Sequence, residues 1–375
     1  MKIQRIGLLA SVALVGSLAL TACGSDNNTG SDGSSSSSSA SAGASDCPEG
    51  GGTLNAEGSS AQKNAIEEAI ASFQDACEGT TINYNPTGSG AGIKQFIAGQ
   101  VDFAGSDSAL KTTEKDGKIE ADDAAAYCGS PAWNLPMVTG PIAVAYNVKG
   151  VDKLVLTPAV AADIFNGKVT TWNDKAIAAL NSGVTLPSEP IKVFFRSDES
   201  GTTENFTKYL KAAAPDKWTA EPGKAWTGKG EGKQKSDGVA GAVKTTEGGI
   251  TYAEWSAAKD NGLSMAQVDN GAGPVELTGE AAGKAVAAAK QVGQGNNIKL
   301  SLDYTTKQAG AYPIVLVTYE IVCSKGKDPA KVALTKAFLK QFSAPEQQKA
   351  LETIGYAPLP ADVATKVSAA INALS

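Results

Sequence analysis

Three times along this chain a short apolar β run breaks into a turn of glycine and serine and then into a helical pattern. Residues 53–55 lead into Glu57-Gly58-Ser59-Ser60, and residues 81–85 lead into Thr87-Gly88-Ser89-Gly90-Ala91-Gly92. The third case is Arg196-Ser197-Asp198-Glu199-Ser200-Gly201-Thr202, where Ser200 or Thr202 can cap the helix that follows. Strands that alternate with helices in this way argue for an α/β architecture with mainly parallel sheets. At each such turn free backbone N–H groups and the positive end of the helix dipole point at one spot, and in α/β proteins those spots gather at the carboxyl ends of strands, where ligands bind. Glycine and serine in a single βα turn are ordinary turn chemistry. Three such turns, one carrying the guanidinium of Arg196, make an oxyanion site the better reading.

The ends of the chain set its compartment. Lys2 and Arg5 precede an apolar run over residues 6–20, too short for a comfortable membrane span, and then comes Leu20-Thr21-Ala22-Cys23-Gly24. Residues 1–22 read as a secretion signal, and the cleavage site looks like a bacterial lipobox that would leave Cys23 as the lipidated first residue. Residues 23–46 then form a Ser/Gly-rich flexible tether, serine throughout 34–39, with no apolar content for a core. Such a coil reaches roughly 25–30 Å. The expected location is the cell membrane, with the protein lipid-anchored on its extracytoplasmic face and touching the membrane through the N-terminal lipid only.

Residues 47–375 are long enough for two packed lobes. The net charge of −6 and scattered lysines give no footprint for nucleic acid. A small anion must therefore be caught by a local site. The chain has no histidine, which excludes a Ser-His-Asp triad, a Cys-His pair and a His-ligated metal. The cysteines after Cys23 match no metal spacing, and an exported domain favours disulfides. Cys47 stands just before the first β run and Cys77 ends the helix after it, so strand and return helix bring them together; that leaves Cys128 for Cys323. The other two pairings stay open.

Residues 61–77 read as an amphipathic helix, and helical signal returns at 329–342 and 345–354. The strongest β runs are 141–148 and 313–322. The region between them reads as a second lobe inserted in the first, giving 47–147 and 313–375 to one lobe and 148–312 to the other. Residues 222–246, rich in Gly, Lys and Thr, read as surface loop. Phe103-Ala104-Gly105-Ser106-Asp107 ends a short apolar strand on a carboxylate. Asp107 either caps the next segment or faces the anion. In the second case it can only accept a hydrogen bond, so the ligand must bring a proton, as phosphate does near neutral pH and sulfate does not.

Gly58-Ser59-Ser60, Gly88-Ser89-Gly90, Gly105-Ser106-Asp107 and the segment from Arg196 to Thr202 resemble the four binding segments of the phosphate-binding lipoproteins of the Pst-type ABC importer. Similarity extends to residues 164–174 and 356–360, and so over nearly all of 47–375. The resemblance implies a two-lobed periplasmic-binding-protein fold of type II. Each lobe would be a mixed, mainly parallel sheet flanked by helices, and a two-strand hinge at about Asn147 and Tyr312 would close over the ligand.

By the same resemblance Ser60 and Ser89, with Ser59 beside them, give hydroxyl and backbone donors, and Ala61 gives a backbone N–H. Asp107 accepts the phosphate proton. Arg196, held by Asp198, donates charge-assisted bonds, and Ser200, Gly201 and Thr202 supply a helix N-terminus. Gly58 and Gly88 support the turns. Ala61-Gln62 stands where Phe-Pro is common in the family, so an aromatic wall is lost. The implied function is a monomeric high-affinity binding protein that delivers inorganic phosphate to an ABC permease, without cofactor, metal or catalysis. Another tetrahedral oxyanion is the alternative ligand. A hydrolase lacks its nucleophile and base here, and the chain contains neither a Walker-type loop nor GxGxxG.

Overall fold

The two strongest β runs lie side by side in the computed structural model, which describes residues 47–115 and 117–375. The secretion signal, Cys23 and the tether lie outside the described residues. Ala132–Asn147 and Val315–Cys323 pair antiparallel from Ala132 opposite Cys323 to Pro141 opposite Val315. Almost every residue of both strands is buried, so this pair runs through the interior and not along a surface.

At Pro141 the long strand changes partner. Proline has no N–H to give a ladder, and from Ile142 to Asn147 the strand pairs with Gly249–Glu254 instead. One strand thereby serves both halves of the molecule. In the first half Gly52–Gly58 runs parallel to Thr80–Asn85 and to Phe103–Ser106. In the second half Lys192–Arg196 runs parallel to Gly249–Glu254 and to Glu231–Lys233. The result is one mixed sheet, parallel towards both ends and antiparallel in the middle.

Each half has its own core. The helix Lys63–Ala76 turns Ala65, Ile66, Ala69 and Phe73 inward on one stripe, as a 3.6-residue period requires. Phe73 meets Phe338 edge-on at 5.6 Å, within a cluster that includes Leu54 and Phe103. The other core holds Trp172, Phe206 and Tyr252, with Phe206 stacked on Tyr252 at 4.6 Å. Disulfides join Cys47 to Cys77 and Cys128 to Cys323. Among the described residues no helix is long and apolar enough to cross a membrane.

Residues 222–246 differ from their sequence reading. Within them Glu231–Lys233 is an edge strand and Lys235–Lys244 a helix that buries Ser236, Val239, Ala240 and Val243. Those four residues recur at helical spacing; the intervening Lys, Gly and Asp residues gave the segment a loop-like composition and hid the period.

Candidate anion-binding site

All three glycine and serine turns converge on Asp107. In the first, Ser59 Oγ accepts the N–H groups of Ala61 and Gln62 at 3.1 and 3.4 Å. The same hydroxyl donates to Asp107 Oδ1 at 2.5 Å. In the second turn Gly88 has φ of 109°, open to glycine but strained for other residues, and its N–H bonds Gly58 O at 2.7 Å. That bond ties the first two turns together. Ser89 opens the helix Ser89–Ile97. Its hydroxyl donates to Asp107 Oδ2 at 3.1 Å and accepts the Asp107 N–H at 3.1 Å.

The third turn comes from the other half of the protein. Ser200 caps the helix Gly201–Ala213, its Oγ accepting the Thr203 N–H at 3.1 Å. Gly201 is pressed against the first half: a Cβ there would stand 2.6 Å from both Asp107 Cβ and Ser89 Oγ. Glycine is thus what allows the three turns to meet. The Thr202 hydroxyl is buried without a hydrogen-bond partner.

Arg196 is only 2% exposed. Its Nε donates to Asp198 Oδ1 at 2.7 Å and a terminal nitrogen donates to Asp198 Oδ2, so the fork is held bidentately. The remaining terminal nitrogen reaches Ser236 Oγ at 3.3 Å. Burial would raise the Asp198 carboxyl, but the Arg196 guanidinium outweighs it and holds that carboxyl below the usual range.

Four functional candidates were missing from the sequence reading. Thr318 donates to Asp107 Oδ1 at 2.8 Å from the middle of a buried strand; a threonine inside the β run 313–322 was the signal available. Ser236 joins the halves, its Oγ 3.2 Å from Ser60 Oγ and its N–H bonded to the same Ser60 oxygen. Tyr252 accepts the Arg196 backbone N–H at 3.2 Å. Glu254 is fully buried nearby, and burial pushes its carboxyl up to about 7 against a hydrogen bond from Ser236. No local pattern marks the last three.

Asp107 itself is 3% exposed. Burial pushes its carboxyl up, more than the Ser59 and Thr318 hydroxyls, the Arg196 charge and the Ser89 hydroxyl pull it down. An ionised carboxylate has about four acceptor sites. Three hydroxyls occupy two of them on Oδ1 and one on Oδ2, which leaves room on Oδ2 for one more donor. The arrangement therefore offers one acceptor within a set of donors made of hydroxyls, a guanidinium and helix N-termini.

Further contacts lace the halves together around the site. Lys63 pairs with Asp237 at 2.7 Å and Lys94 with Glu199 at 2.6 Å. Gly90 N donates to Glu199 O at 2.9 Å, and Asn205 Nδ2 donates to Asp107 O at 2.7 Å. Glu204, just past the third turn, pairs with Lys111 across the interface and with Lys208 on its own helix.

A family model described as a PBP superfamily domain matches residues 36–345 of this chain. Phosphate-binding protein PstS2 of Mycobacterium bovis is 45% identical over 382 residues, with all of both chains covered. Phosphate-binding protein PstS 3 of Mycobacterium tuberculosis is 46% identical over 381 residues, again with full coverage of both. In fold the chain is similar to a solved high affinity periplasmic phosphate-binding protein, PfluDING, with a TM-score of 0.68 at 20% identity, over 84% of this chain and 93% of that one. That likeness is one of architecture, a two-lobed α/β fold with a curled mixed sheet. By the extent of the family match and by identity along its whole length, the chain belongs to the PBP superfamily and, within it, to the PstS proteins.

Proposed function

We propose that this protein binds inorganic phosphate outside the cytoplasmic membrane and hands it to the permease subunits of an ABC importer. The observation that carries the reading is the burial of Asp107 in the same site as Arg196 and three helix N-termini. The donors call for a small anion. The spare acceptor position on Asp107 calls for a ligand that is also a donor. Hydrogenphosphate is both at neutral pH, whereas sulfate would set oxygen against oxygen in a site closed to water. The PstS names of the full-length relatives support the same ligand. In this reading the site holds its ligand and does no chemistry on it: the Ser59 and Ser89 hydroxyls donate to Asp107, and the Ser200 hydroxyl accepts the Thr203 N–H.

Isothermal titration calorimetry against phosphate, sulfate and arsenate tests this. Phosphate is expected to bind and sulfate to bind far more weakly, with arsenate close to phosphate because it carries the same proton. Equal binding of sulfate and phosphate would overturn the reading. So would turnover of a chromogenic phosphoester.

In this reading residues 47–147 with 313–375 and residues 148–312 move as two bodies. They pivot on the two crossing strands near Asn147 and Tyr312. Tyr312 Oη donates to Ile142 O at 2.8 Å, close to where the long strand changes partner. The lipid on Cys23 would keep the protein at the cell surface. Cys23→Ser is expected to release the protein into the medium, or leave an unprocessed precursor, and to lower phosphate uptake by the cells. Wild-type protein recovered from the cytoplasm would refute the anchor.

A further inference from the structure

Behind the binding turns lies a carboxyl group that the site does not use. Glu320, opposite Gly105 in the sheet, is fully buried, and neither of its carboxyl oxygens has a hydrogen-bond partner. The polar side chain set against it is Gln62, and the charge acting on it is Asp107, a second acid. Gln62 has an orphan of its own, since Oε1 is buried without a partner. Its amide orientation is fixed by Tyr84. Tyr84 spends its one proton on Ser59 O at 2.8 Å, so it must accept from Gln62 Nε2, which lies 3.0 Å away. That leaves Oε1 as the acceptor in want of a donor.

An ionised Glu320 would be a charge buried without an ion-pair partner and next to a second acid, a costly arrangement. A single proton removes that cost, and a neutral carboxyl has one O–H to donate. We propose that Glu320 carries a proton in the native protein and donates it to Gln62 Oε1, so that Glu320 and Gln62 together position the first binding turn. From Gln62 the chain of hydrogen bonds runs through Tyr84 to Ser59, and Ser59 is the residue that donates to Asp107. Glu320 is a positioning residue that acts through Gln62. Its neutrality also spares the anion site a further buried negative charge beside Asp107.

Burial pushes the Glu320 carboxyl up to about 8, with Gln62 opposing and Asp107 adding to the rise. Of the groups that face it, Asp107 comes from the turn after Phe103–Ser106, Gln62 from just before the first helix and Tyr84 from the second strand. Burial, and then Glu320 itself, push the Tyr84 phenol far up, so it stays neutral throughout. The long strand presents Leu135, which does not titrate. Because the folded-state pKa is raised, the contribution of Glu320 is complete below the ordinary glutamate range and is lost as pH rises through about 8.

The binding arm of the test rests on the phosphate reading. Phosphate is titrated into the wild type and into Glu320→Gln, whose amide keeps the donor and removes the titration, at steps from about pH 6 to about pH 9.5. The ionisation of phosphate itself is common to both proteins and cancels in the comparison. Above about pH 8 the wild type is expected to lose about three- to tenfold more affinity per pH unit than the variant, tenfold being the limit for one proton. Parallel curves would overturn the proposal. Should the variant fail to fold, wild type labelled with carbon-13 at glutamate serves instead. A side-chain carboxyl resonance still protonated at about pH 7.5 is expected, and its absence would overturn the proposal equally. A wild type that binds no phosphate at any pH would sink the proposed function and leave the proton on Glu320 to be decided by the resonance.

Discussion

Arg196→Ala is expected to weaken phosphate binding by about 2–5 kcal/mol, roughly thirty-fold to several thousand-fold, with the fold retained. Three observations combine to make this the largest single effect. Arg196 is the only arginine after Arg5, so no other guanidinium can substitute. It is almost wholly buried, where a charge is poorly screened and counts for more than at a surface. It is also preorganised, gripped on two nitrogens by Asp198, which is in turn held by the Lys235 N–H at 2.9 Å. Part of the loss will come from Asp198, whose carboxylate would remain in the site without its counterion and push the anion away. Arg196→Lys keeps a charge but loses the fork, and is expected to recover only part of the affinity. Calorimetry on both variants, with circular dichroism as the control for folding, is the measurement. Unchanged affinity in Arg196→Ala would remove this residue from the site.

Asp107→Asn is expected to cut the preference for phosphate over sulfate by about ten- to hundredfold, the range of one hydrogen bond to a charged group. The change is nearly isosteric and puts an N–H donor where only acceptors stood. It removes the negative charge that repels a fully deprotonated oxyanion. It also frees the Ser59, Ser89 and Thr318 hydroxyls, now directed at the carboxylate, to turn toward a ligand oxygen. Sulfate therefore gains donors as phosphate loses the acceptor of its proton. Paired titrations of wild type and variant with both anions, at one pH and one salt concentration, decide the matter. A variant with unaltered preference would make Asp107 a structural anchor for three hydroxyls and nothing more.

Much of this site could be read from the chain because its chemistry is local. A small-residue turn between a strand and a helix carries its donors within a few residues. Ser59, Ser89, Arg196, Ser200 and Gly201 were therefore recognisable one segment at a time, and so was the bidentate partner Asp198, two residues from Arg196. The α/β alternation is local in the same sense, since it depends on hydrophobic period and turn residues.

Tertiary structure decided what depends on residues far apart in sequence. Thr318 reaches Asp107 across 211 positions and Ser236 reaches Ser60 across 176, and nothing near either residue announces the partner. The helix that carries Ser236 looked like a loop because Lys, Gly and Asp fill most of its outer face, and only packing against the core of its own half shows which face is inside. Gln62 and Glu320 are each unremarkable in sequence. They become a pair because sheet register sets Glu320 opposite Gly105, and a Cβ on Gly105 would stand 2.1 Å from the Gln62 amide. Propensity and turn chemistry act over a few residues and so can be read from sequence. The environment of a buried polar group, and with it its protonation, is set by whatever the fold packs against it.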